Sequence, residues 1–167
     1  MNKLELLAKS KNGILVYYKP LNSHTAVHFA ETPQLKSLVE EAINKSILEG
    51  EYLQFDTDLG RIIGNTDEVE NSKGDKIVYA KRKLRNTYTP FNKTKSPKPC
   101  SIIAMGLTRL SDNSYELLSA WIGSVNSPAY PGDDDETPES KPYWTSHSLV
   151  WGTQEIQSGT ETSKCPW

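Results

Sequence analysis

One amphipathic helix is the clearest structural signal in this sequence, and a long series of short β-prone segments follows it. Thr32 and Pro33 suit the N-cap and the first helical position, and Gly50 suits the C-cap. The apolar residues between them recur at helical spacing, at Leu35, Leu38, Val39, Ala42, Ile43 and Ile47. The spacing predicts a helix over residues 33–49.

The rest of the chain favours β structure. Residues 101–110 and 115–123 are apolar, and the turn-forming residues 111–114 separate them, which predicts a hairpin. Further short strands are predicted at 13–19, 51–55, 60–64 and 76–83, and residues 147–151 are predicted to form a short strand or a helix turn. A strand, a helix and then several strands indicate an α+β fold, with one main helix packed on a mostly antiparallel β-sheet.

Length and composition predict one domain over residues 1–152. The segment 124–142 is rich in Pro and acidic residues and is interpreted as a long loop within that domain. The tail 153–167 is polar and rich in Ser and Thr, so we expect it to be disordered.

Several classes of protein are excluded by what the sequence lacks. No apolar run is long enough to cross a membrane, and no signal peptide is evident, so we expect a cytoplasmic protein without membrane contact. Cys100 and Cys165 are far apart and form no CxxC motif. With three histidines and no glycine-rich phosphate loop, we expect neither a metal nor a cofactor.

Charge is distributed very unevenly along the chain. The net charge is −2, but residues 73–98 contain nine Lys or Arg and a single acid, Asp75, so that segment carries +8. The remainder carries −10. The basic segment indicates either a surface that faces phosphate groups or the solvated charges of a hairpin.

The sequence YAKRKLRNTY, residues 79–88, holds the candidate phosphate ligands. Arg82 and Arg85 are expected to bind phosphate through their guanidinium forks, and Lys81 and Lys83 to add positive charge. Tyr88 and Phe91 are aromatic residues that could stack on nucleobases. The alternative is that these arginines form ion pairs with neighbouring carboxylates.

The three histidines are the candidate acids and bases. His24 and His28 have the right chemistry for RNA cleavage, because imidazole can take a proton from the 2′-hydroxyl or give one to the leaving 5′-oxygen. Trp144 and His147, in the segment 141–151, are candidates for a base-binding pocket. For all of them the alternative is an ordinary role at the surface or in the core.

The basic strand YAKRKLR, the histidine segment and helix before it, and the strands after it resemble the metal-free ribonuclease toxins of the barnase, colicin and RelE-like group. The resemblance implies a helical layer on a four-stranded antiparallel sheet. It also implies an active site on the sheet face formed by His24 or His28, Arg82, Arg85 and Tyr88. The chain departs from that group in its slightly acidic net charge and in the insertion at 124–142.

The stretch 79–151 also looks like a family of uncharacterised bacterial proteins with YAKR…R…F, SAWIG and YW..H segments. Two hypotheses follow from the sequence. The first is a metal-independent, toxin-like endoribonuclease that binds RNA. The second is a non-enzymatic protein-binding module, such as an inhibitor or a phage-type accessory protein, whose acidic loop and exposed aromatic residues contact a protein partner.

Overall fold

The computed structural model describes residues 3–167 and has an α+β fold, which confirms the predicted class. Within this range the chain forms three helices, α1 (His24–Glu31), α2 (Pro33–Asn44) and α3 (Ser140–Ser146). The strands are β1 (Glu5–Lys9), β2 (Leu15–Tyr18), β3 (Tyr52–Asp58), β4 (Gly64–Thr66), β5 (Glu68–Glu70), β6 (Ile77–Lys81), β7 (Tyr88–Asn92), β8 (Lys98–Cys100), β9 (Ile102–Arg109), β10 (Tyr115–Ile122) and β11 (His147–Val150). None of the helices in residues 3–167 has the length and apolar character that a bilayer-spanning helix requires.

The chain divides into two compact units, and each is built from two separate stretches of sequence. The first unit contains the residues up to Gly64 and Cys100–Val125, and the second contains Asn65–Pro99 and Asn126–Trp167. β4 and β8, where the chain leaves and re-enters the first unit, pair with each other as a two-stranded sheet. Each unit has its own cluster of buried apolar side chains. The single domain over residues 1–152 stays a prediction.

Five strands form the sheet of the first unit in the order β1-β2-β10-β9-β3. β9 and β10 are the hairpin predicted over residues 101–123, and they pair antiparallel with Arg109 opposite Tyr115. β3 pairs antiparallel with β9, and β1 pairs antiparallel with β2. β2 and β10 run parallel, so the sheet is mixed.

Helix α2 packs against this sheet through the apolar face predicted from the sequence. Its buried residues, Leu35, Leu38, Val39, Ala42 and Ile43, belong to the same core as sheet residues of β2, β9 and β10. The helix ends at Asn44, earlier than predicted, and Ile47 is 64% exposed. Asn12 causes the early end, because its side chain bonds both the N–H and the carbonyl of Leu48 and holds the chain away from helical geometry.

Helix α1 was not predicted, and a local cap explains it. The Ser23 hydroxyl accepts a hydrogen bond of 3.0 Å from the Ala26 N–H, which is the usual N-cap arrangement. Thr25 is buried on the inner side of the helix and donates to the carbonyls of Leu117 and Leu118 in β10. The cap and this anchor fix the position of both histidines of the helix.

Four strands form the sheet of the second unit in the order β5-β11-β7-β6. β7 runs antiparallel to β6 and parallel to β11, and β5 runs antiparallel to β11. The core on this sheet consists of Val78, Ala80, Phe91, Trp144 and Leu149. Trp144 comes from α3, which begins inside the segment that the sequence predicts to be a loop.

The tail 153–167, which the sequence predicts to be disordered, lies along the free edge of β6 in the structure. Tyr79 and Thr162 exchange two backbone hydrogen bonds of 2.8 Å, and the Gln157 N–H donates to the Lys81 carbonyl at 2.8 Å. The Trp167 ring packs edge-on against Tyr79, with centroids 5.4 Å apart. A strand edge binds backbone groups whatever the side chains are, so a polar composition does not prevent this pairing.

Candidate functional site

The basic segment 73–98 forms β6, β7 and the turn between them, all within the second unit. β6 ends at Lys81, and the next residue, Arg82, makes an isolated β-bridge with Ile156 of the tail. The turn has Leu84 at its tip, with a positive φ of 62° and a side chain that is 93% exposed. Lys83 and Arg85 flank Leu84, so an exposed loop carries two cations beside an apolar side chain.

Most cations of this segment have no carboxylate partner among the residues that the structure describes. Three of the nine are within 4.0 Å of a carboxylate, in the pairs Lys83–Glu155, Lys93–Glu161 and Lys95–Asp75. The other six are Lys73, Lys76, Lys81, Arg82, Arg85 and Lys98. The acidic run 133–135 makes no ion pair with them in residues 3–167, so the segment keeps a positive surface.

Two contacts fix the guanidinium of Arg82. Its Nε donates to the hydroxyl of the buried Thr89 at 3.1 Å, and its Cζ lies 4.6 Å from the centroid of the Tyr130 ring. Neither contact uses the two terminal amino groups. Within the described residues no protein acceptor bonds those groups, so they present a preorganised fork to an anion.

Tyr130 connects Arg82 with the aromatic core. Its ring stacks on Trp144, with centroids 4.2 Å apart and an interplanar angle of 19°. Burial raises the pKa of Tyr130 above its usual range, and the negative charge of Glu68 acts in the same direction, while the Arg82 guanidinium acts against both. Tyr130 is therefore a neutral phenol at ordinary pH, and its ring face supports the guanidinium.

Glu68, Ser127 and Tyr143 form a hydrogen-bonded group whose charge also acts on Tyr130. The Ser127 hydroxyl lies 2.6 and 2.7 Å from the two carboxylate oxygens of Glu68, and the Tyr143 hydroxyl donates to Oε1 of the same carboxylate. Partial burial, together with this bond to Glu68, raises the pKa of Tyr143 to about 12. Both hydroxyls are thus donors that hold the carboxylate in place.

His147 lies against this group, and one of its ring nitrogens is within hydrogen-bond distance of neighbouring oxygens. Its ring stacks on Tyr143, with centroids 4.0 Å apart and an interplanar angle of 2°. Its Nδ1 lies 3.0 Å from the Tyr143 carbonyl and 2.9 Å from the Ser146 hydroxyl. In the neutral tautomer that donates from Nδ1 to the carbonyl, the lone pair is on Nε2, and that atom can accept a proton.

A cavity of about 320 Å³ lies in the same unit. Tyr88 and Trp167 contribute aromatic surface to it, Asn86 an amide, and Lys141 and Glu136 opposite charges. The Lys81 ammonium lies 5.3 Å from the centroid of the Tyr88 ring. A cavity of this size with aromatic walls and a cation nearby can accommodate a nucleobase with its phosphate.

The aromatic residues that the sequence predicts to bind nucleobases differ in how deeply they are buried. Tyr88 is half-buried and lines the cavity. Phe91 is 0% exposed and Trp144 is 1% exposed, and both belong to the core of the second unit. Their rings therefore offer no face to a base, and their role is packing.

The histidines predicted to act in catalysis lie in the first unit. His24 and His28 are four residues apart on α1, and their Nε2 atoms are 2.9 Å from each other. The structure thus brings these two together, and it brings Arg82, Arg85, Lys81 and Lys83 together around the turn after β6. The two groups belong to different units.

Four residues of the site were not among the candidates from the sequence. They are Glu68, Ser127, Tyr130 and Tyr143. Tyr143 lies in the YW..H segment that the sequence shares with an uncharacterised family, and that was the available signal. No pattern marked Glu68, Ser127 or Tyr130, which reach the site through contacts across long stretches of chain.

No protein-family model matches this chain, and no curated protein or solved structure is significantly similar to it. The function is therefore inferred from the residues and the geometry described above.

Proposed function

We propose that the second unit binds single-stranded RNA and that the chain cleaves it as an endoribonuclease. The observation that carries the proposal is the fixed Arg82 guanidinium, whose terminal amino groups have no protein acceptor in the described residues. The cations Lys81 and Arg85 on the same turn, and the aromatic cavity beside it, support RNA as the ligand. The resemblance to the ribonuclease toxins points in the same direction.

The reaction is attack of the 2′-hydroxyl on the adjacent phosphate. The new bond joins O2′ to phosphorus, the bond from phosphorus to O5′ breaks, and the product is a 2′,3′-cyclic phosphate. His147 Nε2 takes the 2′ proton, water gives a proton to the leaving 5′-oxygen, and the hydroxide that remains takes the proton back from the His147 imidazolium. Arg82 stabilises the negative charge that develops on the phosphate oxygens, as preorganised cations do in other transfer reactions.

A salt series tests the binding part. Fluorescence anisotropy with a labelled single-stranded RNA should give a logarithmic affinity that falls with the logarithm of salt with a slope of roughly −2, if Lys81, Arg82 and Arg85 neutralise about three phosphates. Arg85→Ala should reduce the slope by about 0.7. Lys83→Ala is the matched control, because Lys83 already pairs with Glu155 at 3.1 Å, and it should change the slope least. An affinity that does not depend on salt would contradict the proposal.

A cleavage assay tests the chemistry. His147→Ala should lower cleavage about 10²–10⁴-fold, and Arg82→Ala about 10²–10³-fold. Arg82→Lys keeps the positive charge but loses the two parallel N–H donors of the guanidinium. Compared with Arg82→Ala, it should therefore restore RNA binding more than it restores cleavage. A substrate with 2′-deoxyribose at the scissile position should bind and remain intact. EDTA should leave the rate unchanged.

The same assay tests the hypothesis that His28 or His24 supplies the acid or base. If a histidine of α1 acts in the reaction, His28→Ala or His24→Ala lowers cleavage as much as His147→Ala does. We expect both variants to keep their activity. The absence of cleavage in any RNA pool between pH 5 and 9, a range around the imidazole pKa, would overturn the enzymatic proposal.

The second candidate function is a protein-binding module, and the turn after β6 favours it. Leu84 is 93% exposed at the tip of that turn and has a positive φ, so the structure presents an apolar side chain that contributes nothing to the core. Lys83 and Arg85 on either side of Leu84 give the turn a charge complementary to an acidic partner. This function would be supported if the wild type bound an acidic protein partner, Leu84→Ser did not bind it, and the wild type showed no ribonuclease activity.

A further inference from the structure

A pair of histidines on the surface of the first unit lies on one face of α1, and the proposed function does not use it. His24 and His28 lie one turn apart on α1, and their Nε2 atoms are 2.9 Å from each other. His24 is exposed, and the His28 side chain is 38% exposed, so solvent reaches the pair. Residues at positions i and i+4 of a helix share one face, which is the spacing at which two imidazoles bind one metal ion.

We propose that His24 and His28 bind a divalent transition metal ion through their Nε2 atoms. In the structure the two Nε2 atoms share a hydrogen bond of 2.9 Å, in which one imidazole donates and the other accepts. A bound ion takes the place of that proton, and both lone pairs then face the ion. Imidazole nitrogens suit Cu²⁺, Ni²⁺ and Zn²⁺, and the general order of metal affinities places Cu²⁺ highest.

The surroundings of the pair suit such a site. The Ser23 cap and the buried Thr25 hold α1 in place, so little helix has to be ordered on binding. Glu31 lies on the other side of the His28 ring, with its carboxylate 3.9 Å from Nδ1. That separation is too long for a hydrogen bond, so Glu31 contributes negative charge beside the pair.

The pair supplies two ligands, and water supplies the others. Among residues 3–167 no group of three or more His, Cys, Asp or Glu side chains is placed to hold a metal ion. A site with two protein ligands has moderate affinity and open positions for exchange. The inference does not depend on the proposed ribonuclease function, since His147 and Arg82 belong to the other unit.

Calorimetric titration with NiCl₂ tests the site, because Ni²⁺ does not oxidise the two free cysteines. We expect one Ni²⁺ per chain and a loss of at least tenfold in affinity for His24→Ala or His28→Ala. His147→Ala is the matched control and should bind as the wild type does. The replaced histidine side chains are outside the core, so thermal unfolding should show that all variants fold.

A second variant tests the spacing. His24→Ala combined with Val27→His keeps the number of histidines but places two of them side by side in sequence, on different faces of the helix. Val27 is exposed, so the change leaves the core intact. This variant should bind Ni²⁺ no better than His24→Ala. Wild-type affinity in it, or in the single histidine variants, would overturn the proposal, and so would a loss of binding in His147→Ala.

Discussion

Replacing Trp144 distinguishes its role in packing from the role in base binding that the sequence suggested. The indole is 1% exposed, stacks on Tyr130, and meets Tyr143 edge-on with centroids 5.1 Å apart. Its Nε1 donates a 3.0 Å hydrogen bond to the Pro128 carbonyl. It therefore connects α3, the loop before it and the sheet of the second unit.

The expected loss of stability can be derived from these contacts. Removing a buried Trp side chain costs about 3–5 kcal/mol, and leaving the Pro128 carbonyl without its partner adds about 1–3 kcal/mol. Trp144→Ala should thus lower the free energy of unfolding by at least about 4 kcal/mol, which is a large part of the 5–15 kcal/mol typical of a domain. Trp144→Phe keeps most of the ring and should cost about 1–3 kcal/mol, mainly through the lost hydrogen bond.

Urea unfolding followed by circular dichroism measures both variants, and Tyr88→Ala is the companion variant. Tyr88 lines the cavity and is only half-buried, so its replacement should weaken RNA binding roughly tenfold and change stability by less than about 1 kcal/mol. The reasoning would be refuted if Trp144→Ala unfolded at nearly the wild-type urea concentration. It would also be refuted if that variant lost RNA binding while its stability was unchanged.

Three further predictions concern stability and pH. The buried Ser148 hydroxyl has no hydrogen-bond partner in the described residues, so Ser148→Ala should be neutral or stabilising by up to about 1 kcal/mol in the same unfolding assay. Hydrogen bonds from Arg61 lower the pKa of the Glu41 carboxyl from its usual value of 4.5 to about 2. Their contribution to stability is therefore present above pH 4.5 and is lost as the pH falls through 2. In an NMR titration, Arg61→Ala should return the pKa of Glu41 toward 4.5. The pKa of Tyr143 is raised to about 12, so its contribution to stability is complete below pH 10 and is lost as the pH rises through 12. An alkaline titration followed by tyrosinate absorbance should show a tyrosine that ionises near pH 12. Glu68→Gln should shift this ionisation to lower pH.

The elements that could be predicted from the sequence are those with a repeating apolar pattern. The α2 face and the β9–β10 hairpin follow from spacing and turn residues alone. α1 has no such pattern, because its order depends on the Ser23 cap and on the anchoring of Thr25 to β10. The contacts of the tail with β6 could not be predicted for a similar reason, since they join residues about 75–90 positions apart in sequence.

In the candidate site too, features of one short segment could be predicted from the sequence, and contacts between distant segments could not. A run of cations was enough to indicate Arg82, because charge density is visible in sequence. Glu68 lies 75 residues from Tyr143, and Tyr130 lies 48 residues from Arg82, so only the folded chain shows that they are neighbours. Aromatic residues remained ambiguous because Trp144 and Tyr88 look equally suited to a core and to a base-binding surface until burial is known.

The interleaved path of the chain has a consequence for the order in which the protein folds as it is made. The central strands of the first sheet, β9 and β10, follow the whole of Asn65–Pro99, so β2, β3 and α2 leave the ribosome before β9 and β10, which they contact in the folded chain. At ordinary rates of synthesis that delay is roughly 2–7 s. During it β1 and β2 can pair with each other and α2 can contact β1, while the part of α2 that packs on β9 and β10 has no partner. A ribosome stalled before Ile102 would hold the edge of the first sheet without its two central strands.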